Sequence, residues 1–282
     1  MPDGFLRSPL RSEDKVRNIA VYPPGEEPAA PVGLAVGARI EGDDAILMEV
    51  RAALADNFGG VIFEGPPGTS KSWYADQVAR VLADEDPERI RRLQFHPSYQ
   101  YEDFVEGWVP EADTFVRRDK HLLLIADRAR AHPEQIHVLV IDELSRSDPA
   151  RVFGEALTYV EQTKRGVTFH VASGNEVDIP ANLVIVATMN TFDRGVEEVD
   201  AAFDRRMAKI EMLPQPTVAD KFLRDAGMPD ELRARVMEFF NGVLRLPEHH
   251  ARIGHTYFMN LATEDDLRRR WKLQLVHVFR KA

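Results

Sequence analysis

The sequence from position 61 to position 72 reads Val61-Ile62-Phe63-Glu64-Gly65-Pro66-Pro67-Gly68-Thr69-Ser70-Lys71-Ser72. It predicts a short buried strand, a turn rich in Gly and Pro, and a helix that begins near the Lys-Ser pair. Phosphate binding needs these parts in this order, because the strand fixes a loop whose backbone N–H groups converge on phosphate oxygens. The N-terminus of the helix adds a partial positive charge. We therefore predict a nucleotide-binding loop formed by Gly65, Pro66, Pro67, Gly68, Thr69, Ser70, Lys71 and Ser72.

Three residues at the end of this loop carry the more specific predictions. Lys71 would reach the β- and γ-phosphates, and the Ser72 hydroxyl would bind Mg²⁺. Ser70 stands where the Walker A pattern has Gly, and a positive φ at this position would disfavour a Ser. Two alternatives stay open: a strand–turn–helix connection that only happens to contain Gly and Lys, and a scaffold whose loop is made non-catalytic by Ser70.

Length and composition describe an ordinary globular chain. Its 282 residues suit one large domain, or a large and a small one, and 44% of them are hydrophobic and 29% charged. The formal net charge of −10 argues against general affinity for nucleic acid, which needs a basic surface. The sequence has no Cys, so it forms neither disulfides nor thiolate metal sites. Without a long apolar run or a signal-peptide core, we expect a cytoplasmic protein with no membrane association.

Two further apolar runs end in polar residues. The run at 137–141 is followed by Asp142 and Glu143, and the run at 183–189 is followed by Asn190. Asp142 would hold Mg²⁺ through water, and Glu143 would orient and polarise the attacking water. Asn190 would lie beside them, within reach of the γ-phosphate or the water. The alternatives are a solvated acidic turn after the first strand and a plain strand-end cap at Asn190.

The order of these runs predicts an α/β fold with a parallel sheet flanked by helices and a small C-terminal all-α lid. Residues 1–37 contain repeated Pro and Gly, which predicts a poorly structured arm. Residues 38–214 would form the nucleotide-binding domain, and residues 215–282 the helical lid.

Shorter patterns predict other elements along the chain. A helix is predicted from Asp43, and Asp148-Pro149 is typical of a helix start, with one helix running to Val160. A hairpin is predicted at 165–181, and a last strand at 208–213. The lid helices are predicted at about 218–226, 229–244 and 265–279.

Two arginines and one lid segment remain as candidates for contacts with the nucleotide. Arg205 and Arg206 end a helix predicted from about Val199, where they could form surface salt bridges or reach the γ-phosphate of a neighbouring subunit as an arginine finger. In the lid, Arg252 or His255 could approach the nucleotide. A buried, hydrogen-bonded structural role is the alternative for His255.

The order of Lys71, Asp142-Glu143, Asn190 and Arg205-Arg206, followed by a helical lid, resembles an AAA+ P-loop NTPase module. Five places resemble the McrB motor family of modification-dependent restriction systems more closely. They are Gln94–Tyr99 with Tyr101–Phe104, Ile141–Glu143 with Val152–Glu155, Met189–Thr191, Asp193-Arg194, and Ile253–Phe258. The resemblance covers roughly residues 40–280.

This resemblance implies a ring, usually a hexamer, that hydrolyses ATP or GTP with Mg²⁺. Each nucleotide would lie between neighbours, so that Arg205 or Arg206 acts in trans and an isolated monomer is nearly inactive. In the best-known members of the family, the Met-Asn-x-x-Asp segment is associated with the choice of GTP. Asp193 is the matching residue here, and we expect it to contribute to nucleotide binding.

Two functions are compatible with these motifs. In the first, the chain is the motor of a McrBC-like restriction or phage-defence complex, which moves DNA or activates a McrC-like nuclease subunit and contacts DNA through the complex. In the second, the chain is a MoxR-like ATPase that remodels a protein client. The segments at 96–107 and 253–258 favour the first function, and the net charge of −10 favours the second.

Overall fold

The computed structural model describes residues 39–190, 203, 205–246 and 252–280. The arm predicted at 1–37 and most of the helix predicted from Val199 lie outside these residues. None of the helices in the described ranges combines the length and apolar composition needed to cross a membrane.

A five-stranded parallel sheet forms the centre of the described chain, which confirms the predicted fold class. The strands are β1 (Gly60–Gly65), β2 (Ile90–Gln94), β3 (Glu106–Glu111), β4 (Thr114–Asp119), β5 (His137–Asp142), β6 (Phe169–His170), β7 (Glu176–Val177), β8 (Leu183–Asn190) and β9 (Ala208–Glu211). The parallel sheet has the order β2-β5-β8-β1-β9, and β3–β4 and β6–β7 are separate antiparallel hairpins.

The helices cover both faces of this sheet and continue after it. They are α1 (Ala45–Ala55), α2 (Lys71–Leu82), α3 (Tyr101–Phe104), α4 (His121–Ala131), α5 (Pro149–Phe153), α6 (Ala156–Val160), α7 (Pro216–Asp225), α8 (Asp230–Leu244), α9 (Glu264–Arg270) and α10 (Val276–Phe279), with a π-helical turn at Trp271–Leu275 between the last two. Helices α1 and α2 pack on one face of the sheet, and α4, α5 and α6 pack on the other.

Burial on both faces explains why the central strands are apolar almost without interruption. Val61 and Phe63 belong to the cluster on the side of α1 and α2, and Ile62 belongs to the cluster on the opposite side. All three side chains are completely buried. A strand that is covered on both faces does not alternate between apolar and polar residues, which is the pattern of β1 between β8 and β9.

Gly154 divides the helix that the sequence predicts from Asp148 to Val160. The Asp148 side chain accepts the N–H of Arg151 and begins α5, in agreement with the predicted helix start. The backbone of Gly154 has φ 54° and ψ −135°, which ends α5, and α6 begins two residues later. A Cβ at Gly154 would lie 2.9 Å from the ring of Tyr101, so the break also makes room for that ring.

Two hairpins project from the sheet on the side of α4. The hairpin predicted at 165–181 is present as the short pair β6–β7, whereas β3–β4 was not predicted. Glu106 is 5% exposed and accepts bonds from Arg117 Nε at 2.7 Å and from the N–H of Ser173 at 2.7 Å. This carboxylate therefore fastens the two hairpins to each other.

The chain after β9 is helical and has its own apolar cluster, which includes Leu223, Phe240 and Phe258. Pro216 occupies the first turn of α7, where its missing N–H is not needed. The lid predicted for the C-terminal region is thus helical, and its boundary near residue 214 stays a prediction.

Arg165 should be a strong determinant of stability, because its guanidinium is buried among backbone carbonyls. It donates to Val160 O at 2.9 Å and to Gly59 O at 3.0 Å, and burial lowers its pKa to about 10. We expect Arg165→Met to lower the free energy of unfolding by about 2–3 kcal/mol, since it leaves these carbonyls without donors. Arg118→Met removes only an exposed ion pair with Glu111 and should cost less than about 1 kcal/mol. Urea unfolding measures both, and equal losses would contradict the prediction.

Candidate nucleotide-binding site

The candidate site lies where β1, β5 and β8 end. Gly65 at the end of β1 pairs with Asn190 at the end of β8, while Asp142 ends β5 and is followed by Glu143. Since these strands are parallel neighbours, their carboxyl ends lie at the same edge of the sheet, where α/β proteins bind ligands. The structure thus places the loop that follows β1, the two acids and Asn190 at one edge of the sheet.

The backbone of the phosphate loop (residues 65–70) presents a series of N–H groups. The loop turns at Gly65 and Gly68, with φ values of 152° and 82° that Gly adopts without strain. The N–H groups of Gly68, Thr69 and Ser70 donate to no acceptor among the residues that the structure describes. Successive N–H groups without partners form a concave site for an anion.

Lys71, the first residue of α2, is buried against the same loop. Its side chain is 7% exposed, and its Nζ donates to Gly65 O at 2.9 Å and to Pro66 O at 2.8 Å. These bonds hold the ammonium group beside the N–H groups of the loop. The loop therefore combines a positive charge with backbone donors, which is the chemistry that phosphate requires.

The outer side of the phosphate loop is covered by residues 253–258, which we call the lid loop. The N–H of Gly254 donates to Pro67 O at 2.9 Å, and the N–H and Oγ1 of Thr256 donate to Gly68 O, each at 3.0 Å. A Cβ at Gly254 would lie 1.9 Å from the carbonyl of Gly68, so the two backbones are in direct contact. The lid loop thus binds the carbonyls of the phosphate loop and leaves its N–H groups available.

Of the two lid residues considered from the sequence, the structure brings His255 to the phosphate loop. Its Nε2 lies 3.0 Å from Ser70 Oγ, and its Nδ1 accepts the N–H of Gln215 at 3.2 Å. Burial lowers the pKa of His255 to about 4, so the ring is neutral near pH 7. Arg252 makes no hydrogen bond with the phosphate loop among the described residues, and its Nε is buried without a partner there.

Ser72, Asp142 and Thr188 form a hydrogen-bonded group beside the loop. The hydroxyls of Ser72 and Thr188 donate to Asp142 Oδ1, at 2.8 Å and 2.5 Å respectively. Thr188 also accepts the N–H of Glu143 at 3.2 Å and is 2% exposed, so it fixes both acids from the next strand. Thr188 was not predicted as a site residue, although its hydroxyl inside an otherwise apolar run was an available signal.

The oxygen atoms of this group fit Mg²⁺, which prefers hard oxygen ligands and keeps several waters. Asp142 Oδ1 accepts hydrogen bonds from two hydroxyls, and Asp142 Oδ2 receives no hydrogen bond from the described residues. One carboxylate with one adjacent hydroxyl suits an ion that also binds phosphate oxygens. No cluster of three or more His, Cys, Asp or Glu side chains suited to a metal occurs in the described ranges.

Glu143 and Asn190 are in direct contact. The Asn190 amide donates to Glu143 Oε1 at 3.0 Å and to Oε2 at 3.2 Å, and Arg146 Nε approaches the same carboxylate at 3.3 Å. The backbone of Glu143 is left-handed, with φ 56°, which is uncommon outside Gly and concentrates at functional sites. The carboxylate is therefore held in one orientation at the edge of the sheet.

Two predicted site residues are not at this edge. Arg205 and Arg206 lie at the opposite, amino-terminal end of β1, where Arg206 O accepts the N–H of Gly59 at 2.9 Å. The length of β1, about 16 Å at 3.3 Å per residue, separates them from the phosphate loop of the same chain. Asp193 lies outside the described residues, so its role in nucleotide binding stays a prediction.

The fold and the arrangement of the site agree with the comparison with protein families. Residues 60–207 match the AAA domain of the dynein-related subfamily, which is more than half of the chain. The chain belongs to this family, and its fold is that of an AAA+ module with a helical C-terminal region.

Two curated relatives come from restriction systems. Over 161 residues the chain is 37% identical to the type IV methyl-directed restriction enzyme EcoKMcrB subunit of Escherichia coli K12, which covers 55% of this chain and 35% of that protein. Over 186 residues it is 28% identical to the type II restriction enzyme BsuMI component YdiS of Bacillus subtilis 168, covering 51% of this chain and 54% of that protein. The alignments span about a third of the first relative and about half of the second, so the chain is similar to part of each of these proteins.

Thr188 should affect the affinity for a magnesium–nucleotide complex without changing the fold. Thr188→Val keeps the shape of the side chain but removes the donor to Asp142 and the acceptor for Glu143 N–H. We expect roughly tenfold weaker binding of a non-hydrolysable nucleoside triphosphate in the presence of Mg²⁺, from the loss of one or two hydrogen bonds. Thr188→Ser keeps the hydroxyl and serves as the control. Calorimetric titration measures both variants, and equal affinities for Val and Ser would show that the hydroxyl has no such role.

Proposed function

We propose that the chain hydrolyses a nucleoside triphosphate as the ring-forming motor of a McrBC-like restriction or phage-defence complex. The observation that carries the hydrolytic part is the contact between Glu143 and Asn190 beside the N–H groups of the phosphate loop. A carboxylate in this position can activate water, and the Asn190 amide can fix the orientation of that carboxylate. The role in restriction rests on the two curated relatives.

The phosphate loop binds and orients the substrate. The N–H groups of Gly68, Thr69 and Ser70 donate to the β- and γ-phosphate oxygens, and Lys71 neutralises part of the phosphate charge. Since these donors are fixed by the loop before the substrate arrives, they do not have to reorganise during the reaction. The substrate is ATP or GTP.

Asp142 and Ser72 would hold Mg²⁺, which would supply positive charge to neutralise the charge that develops on the phosphate groups. Glu143 takes the proton of the attacking water at its carboxylate as the new oxygen–phosphorus bond forms and the bond to the β-phosphate breaks. Asn190 orients this carboxylate and the water. The products are the nucleoside diphosphate and inorganic phosphate.

The charge on the transferred phosphoryl group requires a further cation in this mechanism. Arg205 is exposed at the end of the sheet that lies away from the phosphate loop, where a neighbouring subunit could approach. Phe203 is 1% exposed and accepts the N–H of Arg206 at 2.9 Å, so the turn that carries both arginines is anchored in the core. We therefore propose that one of the two arginines completes the site of a neighbour in a ring, for which a hexamer is the expected size.

A MoxR-like function on a protein client remains the second candidate, because the net charge of −10 disfavours direct DNA binding. In the first function, DNA is contacted through the complex with a McrC-like nuclease subunit, and that subunit should co-purify in a fixed ratio and stimulate turnover. In the second, an unfolded protein client should stimulate turnover and the nuclease subunit should not.

Phosphate release should depend on Glu143 and on protein concentration. We expect turnover per chain to rise with concentration as the ring forms, and Glu143→Gln to lower it by about 10²–10⁴-fold through loss of the base. Glu49→Gln changes an exposed acid of α1 in the same way and should leave turnover unchanged. Phosphate release with ATP and with GTP measures these effects. Turnover that is equal in dilute monomer and in concentrated protein would contradict the ring.

Mixing two inactive variants tests the arginine in trans. Arg205→Ala and Arg206→Ala are each measured alone, and the finger is the one whose loss lowers turnover by roughly 10³–10⁵-fold. Adding Glu143→Gln protein to that variant should restore part of the turnover, because an intact Glu143 and an intact arginine then meet at some interfaces. If the mixture is as inactive as its components, the arginine does not act in trans.

A further inference from the structure

We propose that His255 is a positioning residue for the phosphate loop. It holds Ser70 in the backbone conformation that nucleotide binding needs and so couples the lid to nucleotide affinity. The inference rests on the proposed nucleotide-binding function. It assigns to the lid a role that acts through the loop and not through the nucleotide itself.

The backbone at Ser70 is the first observation. With φ 66° and ψ 21°, Ser70 is left-handed, a conformation that is unfavourable for a residue with a Cβ. Such a residue keeps this conformation only if its surroundings hold it there. The N–H of Ser70 is one of the donors of the phosphate loop, so its direction depends on this conformation.

The side chain of Ser70 does not perform the usual task of its position. Ser70 is the residue before α2, where a Ser commonly accepts an N–H of the first helical turn. Here it makes no such bond, and its Oγ lies 3.0 Å from His255 Nε2. The hydroxyl is therefore directed to the lid loop and away from its own helix.

The direction of the hydrogen bond follows from the other ring nitrogen. His255 Nδ1 accepts the N–H of Gln215 at 3.2 Å, so in the neutral ring the proton is on Nε2, which donates to Ser70 Oγ. His255 is 3% exposed and also packs against Phe222 of α7, with ring centres 6.1 Å apart. Gln215 is the residue from which α7 begins. One imidazole thus connects the phosphate loop to the first lid helix.

The contacts on either side of His255 make this connection stiff. Gly254 and Thr256 donate to the carbonyls of Pro67 and Gly68, and there is no space for a Cβ between Gly254 and Gly68. A displacement of the lid loop must therefore displace the phosphate loop. His255 extends this contact to Ser70, the residue whose left-handed backbone needs support.

Two substitutions of His255 separate its two hydrogen bonds. In His255→Asn, the amide oxygen can still accept the N–H of Gln215, but no donor reaches Ser70. In His255→Gln, the longer side chain places an N–H near the position of Nε2 and can still donate to Ser70. Ser70→Gly removes the hydroxyl and also removes the need for support, because Gly adopts positive φ freely.

The test is the dissociation constant of a non-hydrolysable nucleoside triphosphate with Mg²⁺, measured for the full chain and for each variant. We expect His255→Asn to weaken binding about tenfold and His255→Gln less than about threefold. In the Ser70→Gly background, His255→Asn should have almost no effect, since the bond that it breaks is already absent. Thermal unfolding of each variant without nucleotide reports any general loss of structure, which would not show this dependence on Ser70.

The outcomes separate this inference from the function on which it rests. The inference would be overturned if His255→Asn weakened nucleotide binding equally in the unaltered chain and in the Ser70→Gly background. It would also be overturned if His255→Asn and His255→Gln weakened binding equally. In either case binding by the unaltered chain would leave the proposed function standing. If the unaltered chain binds neither ATP nor GTP, both proposals are wrong.

Discussion

The candidate site depends on how the carbonyl groups of the phosphate loop are bonded. The carbonyls of Gly65 and Pro66 accept hydrogen bonds from the Lys71 ammonium group. The carbonyls of Pro67 and Gly68 accept hydrogen bonds from the lid loop. In a trans peptide unit the N–H points away from the carbonyl, so the lid-loop bonds to the carbonyls of Pro67 and Gly68 turn the N–H groups of Gly68 and Thr69 away from the lid loop. The resulting loop presents N–H groups suited to an anion and has left-handed backbone at Ser70.

The register of the parallel sheet determines the rest of the site. Because Gly65 pairs with Asn190, the start of the phosphate loop and the Asn190 amide lie side by side at the edge of the sheet. The next strand places Asp142 beside Thr188 and brings Glu143 within 3.0 Å of the Asn190 amide. A shift of one residue in any of these strands would turn the polar side chains to the other face of the sheet. The buried apolar side chains on both faces prevent such a shift.

Much of this arrangement could be predicted from the sequence, because its signals are local. The phosphate loop, the apolar strands and the acids after them each lie within a few consecutive residues, and parallel strands bring their ends together by geometry. The adjacent residues Asp148 and Pro149 likewise predicted a helix start. The order of these segments carried the resemblance to an AAA+ module, which the family comparison confirms.

The features that the sequence did not reveal depend on contacts between distant residues. Ser70 and His255 are 185 positions apart, and only the fold shows that a Ser in place of Gly is supported by a lid imidazole. Gly154 ends a helix early because the ring of Tyr101 occupies the space beside it. The hairpin β3–β4 is joined through Glu106 to Ser173, which lies in another hairpin. No local pattern contains this information.

Hydrogen exchange of the backbone amides at positions 68–70 tests the central claim most directly. Since these N–H groups have no acceptor in the described structure, they should exchange rapidly in the free chain. With Mg²⁺ and a non-hydrolysable triphosphate they should become strongly protected, while the amides of β3–β4 should change little. Binding of the nucleotide without protection at these positions would contradict the account, because it would show that the phosphates lie elsewhere.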